Sequence, residues 1–210
     1  MEASSIEEAA SALAAGQAAL FPTDTVYGLG VAVGAAADPA LLYELKGRPS
    51  DKPIAWLVGG AADLDRYGCD VPDRARKLAE AFWPGPLTLI VRAGEAVPPA
   101  FRSAAGTIGL RMPDHPVALA LIRAAGVPLA TTSANPSGAP APRTLDEVDP
   151  ALVARVGAVV RDAAAPQPSA AVDPPPPAAS GVASTVLDCT GASPVIVRQG
   201  ALSARDIDRL

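Results

Sequence analysis

Val127-Pro128-Leu129-Ala130-Thr131-Thr132-Ser133-Ala134-Asn135-Pro136-Ser137-Gly138 begins as an apolar run and turns abruptly into small hydroxyl and amide side chains. A buried strand that delivers polar groups at its carboxyl end is how an α/β sheet presents a site. Pro136 excludes Asn135 from the helical region and keeps it extended. Side chains two apart on an extended chain point the same way, so Thr131, Ser133 and Asn135 are expected on one face. That face offers hydroxyls and an amide but no charge, so holding an anion there needs cations from elsewhere. A plain polar turn after a strand has the same composition.

Working outward, the strand is fed by a helix from Asp114 to Ala125, with Gly126 behind it. Ahead lie strands at Leu87–Val91 and Thr107–Leu110, the second delivering Arg111 just before Met112-Pro113. Towards the amino terminus, Ser5-Ile6-Glu7-Glu8 reads as a capping box opening an Ala-rich helix that stops at Gly16. Strands follow at Ala18–Phe21 and Leu29–Val33, around a polar loop from Pro22. Asp38-Pro39 opens a helix to about Lys46 that Gly47 can end. Ile54–Val58 is a strand and Asp73–Phe82 a helix. Val156–Val160, Ser184–Leu187 and Val195–Arg198 bring the count to at least seven strands, and Ser203–Leu210 closes as a short helix. Helices and strands alternate over two thirds of the chain and strands dominate the rest, so the expected class is α/β on a mixed sheet. Residues 1–210 are read as one domain, large enough to bury a core. Within it Ala163–Ala179 is Pro-rich and nearly uncharged, and is expected to be an extended surface loop acting as a spacer or as a segment for a Pro-binding partner.

The 210 residues carry 17 Lys and Arg, of which only Lys46, Lys52 and Lys77 are lysine. The formal charge of −5 argues against unspecific coating of nucleic acid, which needs a basic face. Cys69 and Cys189 stand in no paired motif and read as two buried thiols of a reducing compartment. His115 is the single histidine, so no His/Cys metal set is expected; at a helix start it reads as structural. Glu2, Glu7 and Glu8 occupy the place of a basic signal segment, and no apolar run reaches the ~18 residues of a membrane span. A cytoplasmic location is the expectation.

Lys46-Gly47-Arg48-Pro49 sets two cations around a glycine, a point charge and a planar fork that suit a polyphosphate. Basic residues at a helix end also complement its dipole. Arg111 leaves an apolar strand, where a charge needs a partner: a salt bridge with Asp114, or a substrate carboxylate. Arg198 repeats the pattern. Asp24 is either catalytic or a stabiliser of its own loop. Trp83 and Phe82 read as core anchors. Neither a Gly-x-x-x-x-Gly-Lys loop nor a Gly-x-Gly-x-x-Gly run is present.

Seven motifs in fixed order carry a resemblance. Pro22-Thr-Asp-Thr-Val-Tyr-Gly-Leu-Gly30, Lys46-Gly-Arg-Pro49, Phe82-Trp-Pro-Gly-Pro-Leu-Thr88, Gly109-Leu-Arg-Met-Pro113, Thr132-Ser-Ala-Asn-Pro-Ser-Gly138, Ala183-Ser-Thr-Val186 and Val197-Arg-Gln-Gly200 together make the chain similar to the YrdC-like family. The resemblance implies a twisted mixed sheet with flanking helices and a deep concave pocket. It implies synthesis of threonylcarbamoyl-adenylate from L-threonine, bicarbonate and ATP, with pyrophosphate released, Mg²⁺ on the phosphates, and separate partner proteins that pass the threonylcarbamoyl group to tRNA. It places the family's catalytic signature on Lys46, Arg48, Ser133 and Asn135. It assigns ATP to those four with Thr107 and Arg198, and threonine to Thr25, Arg111, Thr131 and Ser184, with no protein-bound metal. Some members carry His where this chain has Leu57, which implies one threonine contact fewer. Two other readings stay open from the residues: a non-catalytic module for tRNA or double-stranded RNA, or a carbamoyl-adenylate-forming enzyme of another pathway.

Overall fold

Ser5 caps the first helix as its sequence predicts: its hydroxyl accepts from the Glu8 amide, and the Glu8 carboxylate accepts from the Ser5 amide at 2.7 Å. The computed structural model describes residues 3–47, 49–50, 52–162 and 179–209. Arg48 and positions 163–178 of the Pro-rich run therefore lie outside the described residues.

After α1 (Ile6–Ala14) come β1 (Ala19–Phe21) and β2 (Gly28–Ala32). The next helix, α2 (Ala40–Lys46), starts inside the expected boundary, because Asp38 uses its carboxylate to accept the Ala40 amide at 2.7 Å instead of joining the helix. Gly47 ends it in the left-handed region, at φ 57°. β3 (Ala55–Leu57), α3 (Asp63–Tyr67), β4 (Gly68–Cys69) and α4 (Asp73–Phe82) lead to β5 (Leu87–Ala93) and β6 (Thr107–Arg111). α5 (Pro116–Ala125), closed by Gly126 at φ 69°, feeds β7 (Leu129–Ser133). The chain ends through α6 (Pro150–Val153), β8 (Ala158–Val159), β9 (Thr185–Asp188), β10 (Val195–Arg198) and α7 (Ala204–Asp208). α3 and β4 are too short to leave a periodic signal, and the sequence reading missed both.

Among the described residues all ten strands join one sheet, in the order β10-β9-β5-β6-β3-β7-β2-β1-β8 with β4 on β5. The β1/β8, β3/β6 and β5/β9 pairs are parallel and the others antiparallel. This is the mixed sheet that the alternation of elements predicted.

Strand periodicity sorts the side chains into two layers. On one face Leu20, Leu29, Val31, Trp56, Leu89, Val91, Leu110 and Ala130 form the larger core with Leu42 and Leu45 of α2, Leu78 of α4 and Ile207 of α7. Trp56 sits edge-on to Tyr67 and Phe101, with ring centroids 5.3 and 5.6 Å away. On the other face α1 and α5 press Leu13, Leu121 and Ile122 against Phe21, Ala32, Leu57 and Leu129. Those two helices cover only part of that face. The rest stays open.

Cys189 is buried, and burial pushes its thiol up to about 11, so it is inert as a nucleophile at neutral pH. Cys69 is exposed, which corrects the expectation of two buried thiols: on the two-residue strand β4 it is Gly68 that faces the buried Val71 and Val91, so Cys69 points the other way.

Candidate functional site

The uncovered part of the face is hollow because its floor is built from small residues. Register places Ile90 beside Gly109, Ala55 beside Thr131, and Thr131 beside Gly30. A Cβ on Gly30 would stand 3.0 Å from the Phe21 ring and 3.1 Å from Thr131 Oγ1, and one on Gly109 would stand 3.3 Å from the Thr88 methyl. Glycine at these positions lets neighbouring side chains fold down and leaves space above them. The result is a cavity of about 280 Å³. Among its lining residues are Thr23, Thr25, Leu57, Thr88, Thr107, Arg111, Thr131, Ser133, Ser184 and Arg198.

Arg111 enters from the end of β6 and is buried, 6% exposed. Its Nε donates to the Gly85 carbonyl at 3.0 Å, Nη1 to Thr25 Oγ1 at 2.9 Å, and Nη2 to Asp24 Oδ1 at 2.5 Å. Burial pulls the guanidinium below its ordinary value and Asp24 opposes that shift; an arginine stays charged regardless. The salt-bridge partner is thus Asp24 and not the expected Asp114, which instead gives its backbone N–H to the same Asp24 oxygen at 3.2 Å. Asp114 is near in sequence, but it is exposed while Arg111 is buried.

A count of protons fixes the polarity of the hydroxyls. Thr23 Oγ1 donates to the Val26 carbonyl at 2.6 Å, so in the Thr23–Thr25 pair at 3.1 Å the proton comes from Thr25. Thr25 also accepts from Arg111 and keeps only a lone pair for the cavity. Thr131 Oγ1 donates to the Leu129 carbonyl at 2.9 Å and likewise faces the cavity as an acceptor. Ser133 is the opposite: its Oγ accepts from Lys46 Nζ at 3.4 Å and retains its proton. One side of the cavity therefore reads N–H donors, while Arg111 reads an anion.

At the far wall Arg198 Nη2 donates to the Ser184 carbonyl at 2.8 Å and to its hydroxyl at 3.1 Å, and Ser184 pairs with Thr88 Oγ1 at 2.8 Å. Thr88 is a wall residue that sequence reasoning did not single out, since a lone Thr on a strand carries no signal.

The signature residues divide. Thr131 and Ser133 share the cavity face as extended geometry predicts, but β7 ends at Ser133 and Asn135 turns away. Asn135 Oδ1 accepts from Lys46 Nζ at 3.3 Å, and its Nδ2 donates to the Pro136 and Ala139 carbonyls at 3.0 and 2.6 Å. Lys46, 5% exposed, also donates to the Ser133 carbonyl. Among the described residues, then, Lys46 and Asn135 brace the wall from behind and Ser133 touches the cavity.

His115 occupies the N-cap position of α5 in the core, 3.6 Å from Asp162, and among the described residues neither ring nitrogen has a hydrogen-bond partner. Burial holds its pKa below the ordinary 6.5, with Asp162 opposing. The folded state resists protonation while the unfolded chain accepts a proton below pH 6.5, so this contribution to stability is intact above that value and is lost on acidification. The urea midpoint of the protein is expected to fall more steeply between pH 6.5 and 5 than that of His115→Gln; equal slopes would exclude the effect.

Comparison with known proteins identifies the family. The Sua5_yciO_yrdC family model, described as "Telomere recombination", matches residues 11–200. Threonylcarbamoyl-AMP synthase of Bacillus subtilis (strain 168) is 37% identical over 97% of this chain and 55% of its own length. A relative from Mycobacterium tuberculosis (strain ATCC 25618 / H37Rv) is 39% identical over 96% of this chain and 87% of its own. The crystal structure of P. abyssi Sua5 complexed with L-threonine superposes with a TM-score of 0.82 at 34% identity, over 97% of this chain and 56% of that one. This chain thus spans about half the length of the Bacillus and Pyrococcus proteins. The chain belongs to the Sua5/YciO/YrdC family.

Proposed function

We propose that this protein is a nucleotidyltransferase that forms L-threonylcarbamoyl-adenylate and pyrophosphate from L-threonine, bicarbonate and ATP. The observation that carries the reading is the polarity of the cavity: it is lined by buried Arg111, by Thr25, which accepts from Arg111, and by Thr131, which gives its proton to the Leu129 carbonyl. A carboxylate on the guanidinium and an N–H on the hydroxyls is the pattern of an α-amino acid. The Bacillus relative's name and the L-threonine held by P. abyssi Sua5 support threonine as that amino acid.

The amine of threonine takes up bicarbonate with loss of water to give a carbamate. The carbamate oxygen attacks the α-phosphorus of ATP, and the bond to pyrophosphate breaks. No strong protein base is needed. The requirement is that two anionic reactants be held together, out of water, with their charge neutralised. Arg111 would seat the threonine carboxylate, with Ser184 next to the carbamate. Arg198, Thr107 and Ser133 would face the nucleotide, joined by Arg48 and braced by Lys46 and Asn135. Mg²⁺ would arrive on the ATP phosphates, whose oxygens are the ligands it prefers. No helix of the described residues is long and apolar enough to cross a membrane. The reading places the reaction in the cytoplasm, with separate proteins carrying the activated threonylcarbamoyl group to tRNA.

Incubating the protein with ATP, bicarbonate and each amino acid in turn tests this. A threonine-selective, bicarbonate-dependent adenylate in the mass spectrum, with equimolar pyrophosphate, is expected. Pyrophosphate release indifferent to threonine would overturn it.

A further inference from the structure

Asp24 ties three segments together. Its Oδ1 accepts from Arg111 and from the Asp114 amide, and its backbone carbonyl accepts from the Ser180 amide at 3.0 Å. Its side chain is 9% exposed, yet it does not line the cavity. Asp24 stands behind Arg111, while the next residue, Thr25, stands in the wall.

The guanidinium is gripped at each of its three nitrogens, by Gly85, Thr25 and Asp24. Of its five N–H groups, three are spent and one remains on each terminal nitrogen. That pair has the spacing of two carboxylate oxygens. Gly85 and Thr25 hold Nε and Nη1; Asp24 is the sole grip on Nη2 among the described residues. The Asp24 carboxylate is itself fixed by the Asp114 amide, so the grip has a defined direction.

We propose that Asp24 is a positioning residue that aims the Arg111 fork at the α-carboxylate of the amino-acid substrate. The inference rests on the amino-acid reading of the cavity given above. Asp24 touches no substrate: it acts by fixing where the two remaining N–H groups of Arg111 point. Its negative charge also balances a guanidinium disfavoured by burial and by nearby Arg198.

Asp24→Glu keeps the charge and displaces the carboxylate by one methylene; Asp24→Ala removes both. In the folded variants, checked by circular dichroism, KM for L-threonine is expected to rise about tenfold with KM for ATP within twofold. Preference for L-threonine over L-threoninol, which lacks the carboxylate, should shrink by a similar factor. A wild-type threonine KM and preference in Asp24→Glu, or threonine and ATP constants rising in step, would overturn the proposal. Should the wild-type enzyme make no adenylate, the functional reading fails separately. Calorimetric binding of L-threonine to wild type and Asp24→Glu then still reads the fork, with about tenfold weaker binding expected and equal binding overturning it.

Discussion

Arg111→Ala is expected to abolish threonine-dependent pyrophosphate release, with a loss of at least a hundredfold in kcat/KM for threonine. Truncating one member of a desolvated, hydrogen-bonded charge pair costs about 2–5 kcal/mol, roughly 30- to 5,000-fold in a rate or binding constant. The guanidinium that would pair with the substrate carboxylate is only 6% exposed, which puts the loss at the upper end. The single variant also leaves Asp24 charged and buried, so it should lower unfolding free energy by about 3–5 kcal/mol. Arg111→Ala/Asp24→Asn separates the two effects. Removing the orphaned charge should restore most of the stability while activity stays lost. Retention of threonine dependence by the folded double variant would refute the assignment of Arg111 to the substrate carboxylate. Nucleotide binding, read by calorimetry with a non-hydrolysable ATP analogue, is expected to change less than threefold in both.

Much of this arrangement was legible in residue order. Capping boxes, left-handed glycines and Pro136 act within a few residues, so α1, the ends of α2 and α5, and β7 could be placed from local chemistry alone. Thr131 and Ser133 followed from strand periodicity. What stayed hidden depends on contacts between distant segments. That Arg111 pairs with Asp24 follows from the turn that carries Asp24 to the end of β6, 87 positions away in the chain. That Asn135 leaves the cavity face follows from where β7 stops, which the alternation of side chains does not reveal. The hollow itself is a property of glycines: Gly28, Gly30 and Gly109 look like turn punctuation in sequence, yet they sit mid-sheet, where the missing side chains make room for a ligand. Thr88 gained its place only through Ser184, a partner 96 positions distant.

Lys46 carries the second large effect, and its geometry separates bracing from direct phosphate contact. Among the described residues three acceptors converge on its ammonium: the Ser133 carbonyl, the Ser133 hydroxyl and Asn135 Oδ1. An ammonium has three donors, so it can serve acceptors grouped in this way. Lys46→Met keeps the length of the stem and removes all three. Each acceptor left without a donor in a buried place costs about 1–3 kcal/mol, with water re-entry recovering part of it. A loss of about 2–4 kcal/mol in unfolding free energy is therefore expected, on the order of the largest single-site effects. Catalytically, the end of β7 and the turn pinned by Asn135 should loosen, since Ser137 also donates its amide to the Lys46 carbonyl at 3.0 Å. KM for ATP should rise at least tenfold, while L-threonine binding, governed by Arg111 on β6, moves less than threefold. Lys46→Arg should fail to rescue, because a planar fork cannot reach three acceptors grouped around one point. If Lys46→Met kept wild-type stability and lost only nucleotide affinity, the ammonium would be serving the phosphates directly, and the bracing role would be wrong.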